Sequence, residues 1–199
     1  MFVTFEGIDG SGKTTQAALL AEALRADGRE VVLLREPGGT PLGDRLRDLL
    51  LHGPTITPWA EATLFAAARA ELVETTIRPA LERGSTVVCD RYLDSSLVYQ
   101  GYARGLGIPA VYELNMTATG GLLPDLTFVL LLEADAEAVQ TGSNRQRAHR
   151  LSVSVAGISR RPAGGPTIWP SANTVRPRTS VRTTRALRRR PTNGLWRWR

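Results

Sequence analysis

The sequence predicts an α/β protein in which a parallel β-sheet is flanked by helices. Short, nearly continuous apolar runs alternate with longer segments of helical periodicity, as in parallel strands joined by crossover helices. A glycine-rich segment connects the first apolar run to the first helical segment. The predicted strands are FVTFE (2–6), EVVLL (30–34), STVVCD (85–90) and LTFVLLLE (126–133), and their apolar character indicates burial on both faces.

Helical patterns and helix-ending residues occupy the segments between these strands. Gly28 and Gly84 end the first two helices, and Pro79 is expected to bend the second. The predicted helices cover residues 14–25, 58–83, 95–102 and 109–119, and a further helix begins at 135–139.

The charge of the chain changes sharply after Gln140. Residues 1–140 contain 19 acidic and 11 basic residues, whereas residues 141–199 contain 14 arginines and no Asp, Glu or Lys. The formal net charge of +6 therefore describes neither part. We expect a folded domain at 1–140 and an arginine-rich, disordered tail at 141–199.

Composition also limits the environment and the chemistry. The single cysteine, Cys89, excludes an internal disulfide, and its apolar strand predicts a small buried side chain. Neither His52 nor His149 has the partner spacing of a metal site. No apolar run is long enough for a membrane span, and the N-terminus enters a strand without signal-peptide features, so we expect a cytoplasmic protein.

The glycine-rich segment GIDGSGKT (7–14) matches the phosphate-binding pattern G-x-x-x-x-G-K-[ST] and has the strand before it and helix after it that the pattern requires. Its glycines let successive backbone N–H groups face a phosphate. Lys13 would reach the β- and γ-phosphates of a nucleotide, and the Thr14 hydroxyl would bind Mg²⁺. An incidental glycine-rich turn is the alternative. The predicted ATP-binding loop comprises Gly7, Ile8, Asp9, Gly10, Ser11, Gly12, Lys13 and Thr14.

Three further stretches and one loop acid distinguish among the uses of such a loop. They are REPGGTPLGDRLR (35–47), LFAAARAEL (64–72), DRYLDSSLVYQG (90–101) and Asp9. Taken alone, Phe65 and Arg69 on one helix face fit a core residue and a paired neighbour as well as a ligand site. Asp90 and Arg91 fit a capping acid with its arginine, but they also end a strand, where α/β sheets bind ligands.

With these stretches, the sequence resembles the bacterial thymidylate kinases from Phe2 to about Val139. The resemblance implies a nucleoside monophosphate kinase fold and a thymine site, in which Phe65 stacks on the ring and Arg69 donates to a base carbonyl. It also implies that Ser96 and Gln100 hydrogen-bond the thymine edge and that Tyr99 crowds the sugar to favour 2′-deoxyribose.

The resemblance implies further roles around the phosphates. Arg47 would bind the dTMP 5′-phosphate, Glu36 would lie near the phosphates, and Asp9 would contact the acceptor nucleotide. Asp90 would hold Mg²⁺ through water, and Arg91 would contact the transferring phosphate. The expected catalytic set is Lys13, Arg91, Asp90 and Asp9.

The implied activity is phosphoryl transfer from ATP to dTMP, with Mg²⁺ as cofactor and a homodimer as the assembly. The reaction needs positioning and charge neutralisation rather than a nucleophilic side chain. Two alternatives are a kinase for another deoxynucleoside monophosphate and an impaired nucleotide-binding protein whose basic tail binds nucleic acid.

The parts that the family carries after the fourth strand, a lid and a last strand, have no clear match. Arg145, Arg147 and Arg150 lie at about the distance of lid arginines, and SVSVAGI (152–158) is the one weak strand candidate. Three hypotheses follow: an out-of-frame reading after about Gln140, a genuine basic extension that binds single-stranded nucleic acid through arginines and tryptophans, or a diverged lid. The tryptophans of the tail are Trp169, Trp196 and Trp198.

Overall fold

The computed structural model describes residues 1–131, which form a parallel four-stranded sheet with helices on both of its faces. The strand order is β2-β3-β1-β4, so β1 and β3 lie in the centre. The predicted α/β class and parallel sheet are therefore confirmed. The strands are β1 (Phe2–Gly7), β2 (Val31–Arg35), β3 (Thr86–Asp90) and β4 (Leu126–Leu130).

The strand register brings the functional segments to one edge of the sheet. Phe5 of β1 is opposite Asp90 of β3, and Gly7 is opposite Leu130 of β4. Because all strands are parallel, their carboxyl ends meet where the phosphate-binding loop leaves β1. The turn after β3 starts at the same edge.

The helices confirm the predicted pattern with three differences: two π-helical segments and one additional helix. The long predicted helix is continuous in the chain but contains a π-helical segment, Val73–Ile77, and Pro79 lies at the start of the helix that follows it. A second π-helical segment, Leu97–Ala103, continues a short helix. The helices are α1 (Lys13–Ala26), α2 (Pro41–His52), α3 (Pro58–Leu72), α4 (Arg78–Glu82), α5 (Leu93–Ser96) and α6 (Ile108–Ala118).

Helix α2 was not predicted from periodicity, yet its beginning has clear local signals. The Thr40 hydroxyl accepts a hydrogen bond from the Gly43 N–H at 2.9 Å, and Pro41 occupies the first turn. These two residues stabilise the start of the helix, and its apolar face, with Leu42, Leu46 and Leu49 at helical spacing, is a periodic signal that the prediction missed.

The core consists of two clusters, one on each face of the sheet. Alternation along β1 directs Phe2 into one cluster, with Leu72 and Val87, and directs Val3 and Phe5 into the other. Cys89 is fully buried, as predicted. The expectation of burial on both faces is wrong for β2, at the edge of the sheet described by residues 1–131: Leu33 is 39% exposed, and no residue of this strand is fully buried.

Several predictions fall on residues outside the described part of the chain. They are the end of the fourth strand at 132–133, the helix at 135–139, Arg145, Arg147, Arg150, His149, the 152–158 strand candidate and the basic tail. Within residues 1–131, no helix has both the length and the apolar composition of a membrane span.

Candidate nucleotide-binding site

A cleft of about 880 Å³ opens at the carboxyl edge of the sheet. It joins the phosphate-binding loop to the segments after β2 and β3 and to one face of α3. The predicted site residues that line it are Asp9, Gly10, Gly12, Lys13, Thr14, Glu36, Arg47, Phe65, Arg69, Asp90, Arg91, Ser96, Tyr99 and Gln100. Gly7, Ile8 and Ser11 of the predicted loop do not line it.

The phosphate-binding loop has the backbone geometry that its glycines allow. Gly7, Gly10 and Gly12 have φ angles of 141°, 80° and 86°, and α1 begins immediately after Gly12. A Cβ at Gly7 would lie 2.4 Å from the carbonyl oxygen of Leu130. The loop therefore presents backbone N–H groups and a helix N-terminus to the cleft, which is an arrangement that binds phosphate.

Lys13 lies folded against the loop that it would serve. Its Nζ donates to the Ile8 carbonyl at 2.7 Å. Burial lowers the pKa of Lys13, as does the nearby Arg91, while Asp90 and Asp9 act in the opposite direction. Within residues 1–131, Lys13 forms no ion pair, and a nucleotide phosphate would supply an anionic partner for its ammonium group.

Thr14 and Asp90 form a pair of oxygen donors at the base of the cleft. The Thr14 hydroxyl donates to Asp90 Oδ2, whereas Asp90 Oδ1 is buried and has no hydrogen-bond partner among the described residues. Hydroxyl and carboxylate oxygens are the ligands that Mg²⁺ prefers. The two residues therefore fit a Mg²⁺ ion, held directly or through water.

Arg91 has the only positive φ of a non-glycine residue in the described chain, at 73°. Its Nη1 donates to the Gly7 carbonyl at 3.2 Å and to Ser95 Oγ at 2.9 Å, and its Nη2 pairs with Asp9. Its guanidinium carbon lies 5.6 Å from the centre of the Tyr99 ring. An acid in a phosphate-binding loop would repel the phosphates if it stood alone, but Asp9 is paired with the Arg91 cation.

Arg69 is the centre of a buried polar network on the acceptor side of the cleft. It is 2% exposed and forms an ion pair with Glu36, with Nη2 and Oε2 2.6 Å apart. Its Nη1 also donates to Ser96 Oγ at 3.2 Å and to Asn115, and its Nη2 donates to the Tyr92 carbonyl at 3.2 Å. Burial raises the pKa of Glu36, and the Arg69 charge counteracts that increase.

Arginine has five N–H groups, and Nε of Arg69 also donates to Glu36 at 2.7 Å. All five N–H groups of Arg69 are therefore directed at protein acceptors in this structure. The contact between Arg69 and a base carbonyl stays a prediction. It would require one of these bonds to be shared or exchanged when a nucleotide binds.

The outer part of the acceptor side contains two residues, Glu61 and Arg104, that were not predicted from the sequence. Gln100, which is buried, donates to Glu61 at 2.7 Å, and Arg104 pairs with the same carboxylate at 2.7 Å. Glu61 and Phe65 both line the cleft, together with Arg69. Their spacing of four residues along α3 is the signal that could have found Glu61.

Arg47 and Glu36 lie on the side formed by the loop after β2. Arg47 Nη1 donates to the carbonyl of Pro37, which follows a cis peptide bond after Glu36. Burial and the charge of Arg35 lower the pKa of Arg47. Arg35 and Arg47 both line the cleft. Together they form a cationic surface suited to a phosphate group.

This combination of fold and site defines a P-loop protein that binds nucleotides, with the fold of the nucleoside monophosphate kinases. A family model described as thymidylate kinase matches residues 5–152. The chain belongs to the thymidylate kinase family. The match continues to residue 152, past the position near Val139 where the resemblance was expected to end.

Individual relatives agree with this assignment. The chain is 58% identical over 130 residues to a thymidylate kinase of Synechococcus sp. strain JA-3-3Ab, covering 65% of this chain and 64% of that protein. It is 53% identical over 152 residues to a thymidylate kinase of Thermomicrobium roseum, covering 76% and 70%. A crystal structure of thymidylate kinase from Ehrlichia chaffeensis superposes with a TM-score of 0.62 at 44% identity, covering 65% of this chain and 73% of that one.

Proposed function

We propose that the chain transfers a phosphoryl group from ATP to dTMP, giving ADP and dTDP for dTTP biosynthesis. The observation that carries the proposal is the single cleft in which the phosphate-binding loop faces the acceptor residues on α3 and after β3. Both nucleotides can therefore reach one volume, as in-line transfer requires. Membership of the thymidylate kinase family supports dTMP as the acceptor.

The donor half of the mechanism follows from the loop and its cation partners. Backbone N–H groups of the loop and Lys13 would hold the ATP phosphates, and Thr14 and Asp90 would hold Mg²⁺. Bound Mg²⁺ would neutralise charge that develops on the phosphates. Arg91 is anchored to the loop through Gly7, so it can stabilise the transferring group without a large movement.

The acceptor half places dTMP between α3 and the segment after β3. Phe65 offers an apolar ring face for thymine, while Ser96 and Gln100 offer polar groups for its edge. Tyr99 at the rim would exclude a ribose 2′-hydroxyl, and Arg47 would bind the 5′-phosphate. No covalent intermediate is needed, because positioning and charge neutralisation supply the catalysis.

A coupled assay of ATP consumption with a panel of acceptors tests this proposal. We expect turnover with dTMP to exceed turnover with dUMP, dCMP and dGMP, and Lys13→Met to abolish it. A preference for another acceptor would identify a different monophosphate kinase. Nucleotide binding without any acceptor-dependent turnover would indicate an impaired nucleotide-binding protein.

We also propose that one or more of Arg145, Arg147 and Arg150 acts as a lid arginine. The support is that the family match extends to residue 152 and that the loop has Gly10, and no arginine, between Gly7 and Lys13. Replacing the three arginines together should reduce turnover strongly while leaving dTMP binding intact. Unchanged turnover would favour the out-of-frame hypothesis, which sequencing of the DNA around codon 140 tests independently.

The assembly and location follow by analogy with the family. We propose a homodimer in the cytoplasm, and light scattering of the purified chain would detect a monomer instead. Nucleic-acid binding is proposed only if the 141–199 tail is a genuine product. In that case a 141–199 peptide should bind single-stranded DNA with a steep dependence on salt, and salt-insensitive binding would discard this role.

A further inference from the structure

Glu6 is a buried acid that no step of the proposed mechanism uses. It is 5% exposed, lies near the end of β1, and is absent from the lining of the nucleotide cleft. It forms no ion pair within residues 1–131. A buried carboxylate without a paired cation is costly, so its hydrogen bonds identify what it stabilises.

Within residues 1–131, every hydrogen bond to the Glu6 side chain comes from the turn and short helix that follow Arg91. Its Oε1 accepts from the Tyr92 N–H at 2.8 Å and from the Ser95 N–H at 3.4 Å. Its Oε2 accepts from the Ser95 hydroxyl at 2.6 Å. One carboxylate therefore holds both ends of the segment 92–95.

The Ser95 hydroxyl connects this carboxylate to Arg91. Ser95 Oγ donates its proton to Glu6 and accepts a hydrogen bond from Arg91 Nη1 at 2.9 Å. Glu6 thus fixes the direction of the hydroxyl, and the hydroxyl offers its lone pair to the guanidinium. This arrangement requires acceptors on both oxygens at position 6, which the carboxylate provides in its ionised form, above its pKa of about 7, so the activities of the variants are compared at a pH above this value.

The backbone of Arg91 needs such support. A non-glycine residue at a φ of 73° occupies a sparsely populated backbone region and persists only where its surroundings determine it strongly. The next N–H in the chain, that of Tyr92, is the one that Glu6 accepts. Glu6 therefore acts on Arg91 twice, through the adjacent peptide group and through the Ser95 hydroxyl.

We propose that Glu6 is a positioning residue that holds Arg91 in its strained conformation against the phosphate-binding loop through Tyr92 N–H and the Ser95 hydroxyl. This inference rests on the proposed function, in which Arg91 contacts the transferring phosphate. Glutamine at position 6 has nearly the same shape, but either orientation of its amide places an NH₂ group against one of these donors. The Glu6→Gln variant therefore tests the hydrogen-bond direction rather than side-chain volume.

The kinetic test compares Glu6→Gln, Ser95→Ala, the double variant and Glu82→Gln. Glu82 is exposed on α4, at the opposite end of β3 from Arg91. The Glu82→Gln variant is the matched control, because it also removes one carboxylate. Because Arg91 is proposed to act on the transferring group, Glu6→Gln should lower kcat and kcat/KM for dTMP together by roughly tenfold to a hundredfold. Glu82→Gln should leave both unchanged, and Ser95→Thr, which keeps the hydroxyl, should retain most of the activity that Ser95→Ala loses.

The double variant identifies the path. If Glu6 acts through Ser95, the losses of Glu6→Gln and Ser95→Ala should not multiply, since both interrupt one chain of hydrogen bonds. Fully multiplicative losses, or a Glu6→Gln kcat equal to that of Glu82→Gln, would overturn the inference. Circular dichroism melting of each variant separates unfolding from misplacement of Arg91.

A readout without turnover separates this inference from the proposed function. If the unmodified chain shows no dTMP-dependent turnover, the proposed function fails, while the side-chain ¹⁵N NMR signals of Arg91, assigned with Arg91→Lys, still test Glu6. We expect separate, slowly exchanging Nη signals in the unmodified chain and averaged signals in Glu6→Gln. Identical Arg91 signals in both would overturn the positioning role.

Discussion

Replacing Arg69 with methionine removes the cation from the buried network beside the cleft. The side chains of Arg69 and Glu36 are 2% and 4% exposed, so the carboxylate left behind cannot be solvated without disruption of the core. Loss of one partner from such a pair typically costs about 3–5 kcal/mol, and acceptors on Ser96 and Asn115 also lose their donor. We expect Arg69→Met to lower the free energy of unfolding by at least about 3 kcal/mol.

Urea unfolding followed by circular dichroism measures this loss. The matched control is Arg104→Met, which breaks the pair with Glu61 at a site where the arginine side chain is 54% exposed. Glu61 is 14% exposed but keeps its hydrogen bond from Gln100, so the control should cost about 1 kcal/mol, clearly less than Arg69→Met. Arg69→Lys should be intermediate, because it keeps the charge and loses the planar array of donors. Equal urea midpoints for Arg69→Met and Arg104→Met would refute the argument from burial.

Three further predictions concern the loop, a buried acid and the sugar. Gly7→Ala should be strongly destabilising in thermal unfolding, because its Cβ would lie 2.4 Å from the Leu130 carbonyl oxygen at a φ of 141°; a melting temperature equal to that of the unmodified protein would contradict this. Burial raises the pKa of Glu6 from 4.5 to about 7, with a smaller contribution from the charge of Asp94 and opposing ones from hydrogen bonds and Arg69. Between these pH values the folded state then binds more protons than the unfolded chain, so the unfolding free energy should fall by up to about 3 kcal/mol as the pH rises from 4.5 to 7. The Glu6→Gln variant should lack this decline. Parallel curves of unfolding free energy against pH for the two proteins would count against a raised pKa of Glu6. Tyr99→Ala should raise turnover with the ribose analogue of dTMP relative to dTMP, and an unchanged ratio would show that Tyr99 does not discriminate the sugar.

The parts of the fold that sequence predicted best are those with strong local patterns. Apolar and polar residues do not alternate strictly along β1 and β3, because both faces of these strands are buried. The structure places both strands in the centre of the sheet. The phosphate-binding loop combines a fixed spacing with a strand before it and a helix after it, and its glycines have the positive φ angles that this spacing requires. Such signals lie within a few residues and do not depend on tertiary contacts.

Other features depend on partners distant in the sequence. The π-helical segment at Val73–Ile77 interrupts a long helical pattern without a residue that marks it. The exposure of Leu33 follows from the position of β2 at the edge of the sheet, which a single apolar run does not reveal. The place of β2 in the strand order, rather than its apolar sequence, explains the exposure of Leu33.

The candidate site shows the same division. Motif residues such as Lys13 and Asp90 were assigned from short patterns, and the structure brings them into one cleft. Glu6 and Asn115 belong to no motif, and their contacts span 86 and 46 residues of sequence. Their function is to hold other side chains, so only the folded geometry could identify them.

Formation of dTDP tests the proposal that this cleft carries phosphoryl transfer to dTMP. The purified 199-residue chain would be incubated with ATP, Mg²⁺ and dTMP, and the nucleotides would be separated by ion-exchange chromatography. We predict that dTDP and ADP appear in equal amounts and that neither increases above background with Lys13→Met. ADP formation without dTDP, or no product from a chain that binds both nucleotides, would contradict the claim.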